Sequence, residues 1–300
     1  MRVAEPIGWT GGRYSVFRVL LGCYLLWHFA ALLPWGAELW SNQGMLPDAS
    51  ASPIAYLFPN VLTWFDPPWF VTSLLALACI ASVALAVGWR DRVAAIGLWY
   101  IWTCLLGRNP LILNPGLPYV GWILVAHAFT PRAPYGALDA RQGVNRQWHM
   151  PAPIFVSAWI LMAVGYSYSG YTKLISPSWI DGTAVAHVLD NPLARPTVIR
   201  DLLLMLPDQV LSTLTWGTLA FELSFAPLAL FRRLRPWLWL AGLLMHGTLL
   251  VLIDFADLSL GMVMLHLFTF NPAWLMSESP INMKAPPPRR TQPTGPPTDA

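Results

Sequence analysis

Apolar runs of about 15 to 22 residues fill most of the chain between Tyr14 and Met276, and short segments carrying nearly all the charge divide them. A helix needs about 20 mostly apolar residues to cross the hydrocarbon core of a bilayer. The runs therefore predict an all-α, multi-pass membrane bundle with spans at 14–35, 69–88, 93–107, 116–130, 153–172, 211–231, 236–253 and 257–276. That count is eight. The third and fourth spans are short and flank the Pro/Gly-rich "GRNPLILNPGLP", for which a re-entrant or partly unwound pair is the alternative. Composition agrees: 56% of the 300 residues are hydrophobic and 11% are charged, against roughly 25% in a soluble domain. The run from Tyr14 is long for a signal-peptide core and has no clear small-x-small cleavage site, so it reads as an uncleaved helix.

Charge orients the expected spans, because Lys and Arg concentrate in cytoplasmic loops. With eight spans, Arg2, Arg13, Arg18, Arg90, Arg92, Arg132, Arg141, Arg146, Arg232, Arg233, Arg235, Lys284, Arg289 and Arg290 fall on one side. Arg108, Lys173, Arg195 and Arg200 remain on the other, among most of the acidic residues. Both termini are thereby predicted to be cytoplasmic. The net charge of +3 is accounted for by this pattern, and no nucleic-acid partner is expected. Cys23, Cys79 and Cys104 lie inside apolar segments without CxxC spacing, which predicts neither disulfides nor a zinc site. Residues 1–276 read as one transmembrane domain, and the Pro-rich 277–300 as a disordered cytoplasmic tail. Two long connections, 36–68 and 174–210, fall on the external side, where they can cap a cavity.

Ionisable side chains at membrane depth cost roughly 2.5 to 3.5 kcal/mol each, so each calls for a partner, a cavity or a function. Lys173 ends the fifth span, and Tyr166, Ser169, Gly170 and Lys173 share one helical face. The small pair admits a neighbouring backbone, and the tyrosine and serine offer hydrogen bonds. A lysine snorkelling to the interface is the competing reading. Glu222 sits near the centre of the sixth span with Thr215 and Thr218 on its face, either as a structural ion pair or as a participant in proton movement. His246 and His127 lie in the seventh and fourth spans; a lone histidine there is more often a satisfied core residue, although a Glu222 and His246 pair would couple their proton affinities. The remaining histidines have no HxxxH or ExxH spacing, so no metal is predicted, and GxSxG, P-loop and GxGxxG motifs are missing.

Several stretches resemble a known family. "YSYSGYTKLISPSWIDGTAV" is similar to a segment of vitamin K-dependent gamma-carboxylases and their bacterial relatives, the horizontally transferred transmembrane (HTTM) family, in which a small-Gly-x-x-Lys-Leu run precedes a tryptophan and an acidic-Gly pair. The stretch from "FELSFAPLALFRRLRPW" through His246 to "FTFNPAWL" resembles their acidic-Leu-Ser motif, Arg-Pro turn and intramembrane histidine. "FRVLLG", with Arg18 and Gly22, and "NQGMLP" around Gly44 also fit. Together these cover most of 13–276.

The resemblance implies a bacterial inner-membrane protein in which Lys173 matches the lysine that deprotonates vitamin K hydroquinone. His246 and Glu222 fall on further catalytic positions, with Tyr166, Ser169, Gly170, Trp179 and Asn114 as ligand-binding candidates. The implied cofactor is a vitamin K- or menaquinone-like quinol. One departure argues against protein-glutamate carboxylation: the stretch opening the fourth span reads "LNPGLPYVGW", with Asn114 but without the carboxylases' histidine. No counterpart of their lumenal substrate-binding domain is present in the 300 residues, so a protein substrate would call for a partner subunit. A non-catalytic lipid binder, transporter or assembly module is the alternative.

Overall fold

The computed structural model describes residues 8–54, 56–132, 136–139, 148–254 and 256–275. The expected tail at 277–300, together with Arg2, Arg141, Arg146, Lys284, Arg289 and Arg290, lies outside them. Among the described residues the fold is all-helical, without strands.

Eight longer helices fill the bundle: α1 Gly11–Leu32, α2 Pro68–Val87, α3 Asp91–Arg108, α4 Leu117–Phe129, α5 Ala152–Lys173, α6 Asp208–Ala229, α7 Arg235–Leu252 and α8 Ala256–Thr269. Four segments, Gly11–Trp40, Pro68–Val87, Ala152–Lys173 and Arg235–Leu252, are long and apolar enough to cross a membrane. Proline in the first turn starts α2, α4, α5 and α7, where its missing N–H costs no helical bond. The segment "GRNPLILNPGLP" resolves into the last turn of α3, one short 3-10 turn at Pro110–Ile112 and the first residues of α4. Asn109 and Asn114 bend the chain there by accepting the N–H groups of Leu111 and Gly116.

Neighbours in sequence pack as neighbours in space: α1 on α2, α2 on α3, α3 on α4, α5 on α6 and α7 on α8. The last helix, α8, also touches α1, α4 and α5, and so ties the two halves together. Its Leu265, His266, Phe268 and Thr269 are accordingly buried.

The long connections 33–67 and 174–207 lie at one end of the bundle. The first is fastened to the end of α3: Trp40 donates to the Leu105 carbonyl, Asn60 to Cys104 and Ser52 to Gly107. Arg108 completes the anchor, donating to Asp66 at 2.8 Å and to the Leu46 carbonyl at 2.7 Å. The second carries short helices at Pro177–Ile180, Ala184–Leu189 and Val198–Leu204. It is stitched to the end of α7 by an isolated bridge between Ala194 and Ile253 and by the Arg195 N–H on the Leu252 carbonyl, 2.8 Å.

Candidate functional site

The Lys173 amine donates to the Glu222 carboxylate at 2.6 Å and to the Ser169 hydroxyl at 2.7 Å. Its charge also lies 5.0 Å from the centre of the Trp179 ring, within reach of a cation–π attraction. The lysine side chain is 22% exposed and the glutamate 7%. Two charges at this depth are tolerable as a neutral pair with further hydrogen bonds, and removing one partner of a buried pair costs about 3–5 kcal/mol.

That contact depends on how closely α5 and α6 approach. A Cβ on Gly170 would lie 2.7 Å from the Leu223 backbone nitrogen and 3.0 Å from the Glu222 Cβ, so only glycine admits α6 here. Pro227, inside α6, has no N–H to give the Leu223 carbonyl one turn back. The Ser167 hydroxyl of α5 donates in its place, shared between the Leu223 carbonyl at 3.2 Å and the Glu222 carbonyl at 3.1 Å, and accepts the Ala226 N–H at 2.9 Å. Ser167 was not among the residues singled out from the sequence. The signal for it is "FELSFAPL", where an intrahelical proline frees a carbonyl that needs a donor.

The stretch "SPSWIDG" turns the chain back over this pair. Ser176 begins the short helix that brings Trp179 against the amine, and the Asp181 carboxylate then accepts both the N–H and the hydroxyl of Thr183. Those bonds to the anion hold the Asp181 carboxyl below its ordinary range. The Ala184–Leu189 helix follows, its Val185 N–H donating to the Thr215 hydroxyl of α6.

Beneath this cover lies a cavity of about 570 Å³, lined by α4, α5, α6, α7 and α8. Its polar wall includes Tyr119, Tyr166, Ser169, Lys173, Thr218, Glu222, His246 and Thr248. Apolar side chains such as Leu214, Met245, Leu249 and Met262 make most of the rest. The ring nitrogens of His246 have no hydrogen-bond partner among the described residues. Thus Glu222 pairs with Lys173 and not with His246, although both line the one cavity.

Tyr166 stacks on Phe225 at 4.4 Å between ring centres and meets His266 at 3.2 Å. The Met262 carbonyl sits 2.8 Å from His266 Nδ1 and can only accept. His266 Nε2 is therefore the acceptor for the Tyr166 hydroxyl. Gly242 on α7 leaves room for that bond, since a Cβ there would meet both partners. His266, like Ser167, was not foreseen as part of the site.

Trp179 joins the wall of the cavity through the amine it covers, and Gly170 sets the helix spacing. Asn114 is not on the wall: its side chain caps the turn into α4, and its neighbour Pro115 lines the cavity. His127 lies elsewhere, bonded to Tyr14 at 2.8 Å and 3.5 Å from Asp91. Among the described residues, no group of three or more His, Cys, Asp or Glu could hold a metal ion.

No solved structure matches the chain. It is similar to the uncharacterized protein YitO of Bacillus subtilis (strain 168), 25% identical over 222 residues that cover 66% of this chain and 68% of that protein. The HTTM domain matches residues 11–274, which include every helix and side chain of the cavity described above. The chain belongs to the HTTM domain family.

Proposed function

We propose that this chain is an eight-span protein of a bacterial inner membrane, with both termini cytoplasmic, that binds a quinol-like aromatic ligand in the cavity and exchanges a proton with it. One observation carries the reading: a single, mostly apolar cavity gathers an amine, a carboxylate, a serine and an unpartnered imidazole. Its volume lies within the roughly 300–1,000 Å³ of small-molecule sites. Apolar walls suit an aromatic ring system, and the polar side offers donors and acceptors to ring oxygens.

The paired side chains divide the work. Glu222, as carboxylate, accepts the proton of a ligand hydroxyl, and the Lys173 ammonium holds the resulting oxygen anion, so the total charge in the apolar site is unchanged. Ser169 orients the amine, and Trp179 shields it from water. A quinol, when bound, would supply the redox chemistry that no protein side chain here offers.

A non-catalytic binding or assembly role is the second reading. It is favoured by α4 and the turn before it, which contribute Tyr119 and Pro115 to the cavity but no histidine or carboxylate, the one histidine of α4 being bonded to Tyr14.

Mass spectrometry of lipids extracted from the purified protein tests the proposal. A stoichiometric quinone in wild type, lost in the doubly neutral Lys173→Met/Glu222→Gln protein, is expected. Equal quinone in both, or none in wild type, would reject the ligand assignment.

A further inference from the structure

The cavity has a neighbour. On the outer face of α7 runs a second apolar hollow of about 580 Å³, bounded by Leu244, Gly247, Val263 of α8, and Ile199 from the short Val198–Leu204 helix. Thr248 and Leu252 line both this hollow and the cavity, so one layer of side chains separates the two. The groove is almost wholly apolar. Leu244 on its rim is 60% exposed, on a helix long and apolar enough to span a membrane, so it opens sideways toward lipid.

Two features make this a built groove. Ile199 comes from a connection stitched to the end of α7 through Arg195, Leu252 and Ile253, which roofs the groove at the same end of the bundle as Lys173. Its floor has no side chain at Gly247, whose Cβ would meet nothing within 4 Å. A glycine inside an exposed helix costs about 1 kcal/mol relative to alanine, and no packing contact requires it here.

We infer that the groove holds the apolar chain of a membrane-borne ligand whose polar ring lies in the cavity, the chain passing between Thr248 and Leu252. This rests on the reading of the cavity as a ligand site, and it narrows the substrate class to amphiphiles with one long hydrocarbon tail that enter sideways from the bilayer. The Thr248 hydroxyl is turned to its own helix, donating to the Leu244 carbonyl at 2.9 Å, so the partition presents methyl groups to a passing chain. A tail in the groove points the ring toward Lys173 and His246, and the water-facing connection need not open.

Gly247→Phe tests this without disturbing the cavity, because Gly247 lines the groove alone and its Cβ has free space. The probes are two naphthoquinones, one with a long isoprenoid tail and one with only a ring methyl, titrated against wild type, Gly247→Phe and Lys173→Met/Glu222→Gln in nanodiscs. Wild type should prefer the tailed probe by at least about tenfold. Gly247→Phe should erase that preference and leave the methyl probe's affinity unchanged, whereas the double variant should weaken both alike. A tail preference that survives Gly247→Phe, or an equal loss of both probes in that variant, overturns the groove. If neither probe binds wild type, the quinol reading fails separately. Native mass spectrometry then decides the groove: a single-tailed lipid carried by wild type and lost from Gly247→Phe supports it with another head group, and equal carriage in both overturns it.

Discussion

Arg108 closes α3 and Lys173 closes α5, and each reaches a carboxylate, at 2.8 Å to Asp66 and 2.6 Å to Glu222. The guanidinium is fully buried, with Nε and Nη2 both on Asp66 and Nη2 also on the Leu46 carbonyl. Arg108 has become part of the architecture, a peg on which the first long connection hangs. The Lys173 amine has one carboxylate, one hydroxyl and an aromatic ring, and faces a cavity. An ammonium has three donors, so one is left unused beside the cavity. The Arg108 Nη1 is likewise without a hydrogen-bond partner among the described residues, but it is sealed in the interior, so the two basic residues at equivalent helix ends differ in whether an unused donor faces a cavity.

Variants at both ends put this contrast at risk. Arg108→Met should have the largest effect on stability, about 3–5 kcal/mol, because Asp66 loses its cation and the Ser41, Leu46 and Pro47 carbonyls lose their common donor. Thermal unfolding in detergent reads this, and a shift as small as that of a surface lysine variant would contradict the anchor. Lys173→Met should cost less, about 2–3 kcal/mol, since its site reaches the cavity, and Lys173→Met/Glu222→Gln should recover most of it while ligand binding stays lost. Failure of the second substitution to restore stability would mean that the lysine acts through packing alone.

Gly170→Ala comes next, at about 1–3 kcal/mol, from forcing α5 away from the Leu223 backbone. Ligand affinity should fall with it, as the pair is pulled apart; unchanged affinity would detach the site from helix spacing. The smallest stability change belongs to His246→Phe, below about 1 kcal/mol, because the imidazole makes no hydrogen bond among the described residues to lose. Ligand affinity should drop nonetheless. A large stability loss there would place His246 with Arg108 among the architectural groups.

Much of this was legible in the linear order. Apolar length and the scarcity of charge predict a helical membrane bundle, because the cost of dehydrating charge and unpaired backbone leaves few alternatives. Tyr166, Ser169, Gly170 and Lys173 come to one face because helical period places them there. Glu222 and His246 stand out as polar groups in apolar runs. Their pairing was not legible: Glu222 and His246 are on consecutive helices, yet the carboxylate turns to α5, because Gly170 and the Ser167 bond at Pro227 draw α6 against that helix.

The sequence by itself determined the helices, their apolar character and which residues would be costly to bury, since these follow from local period and from transfer energies along the chain. Only the tertiary structure decided that His266 holds Tyr166, that Lys173 neutralises Glu222, that His246 is left without a partner among the described residues, and that two side chains divide a cavity from an apolar groove on the outer face of α7. Those outcomes depend on distances between helices, which close-packed contacts at a few small residues set and which no one-dimensional pattern contains.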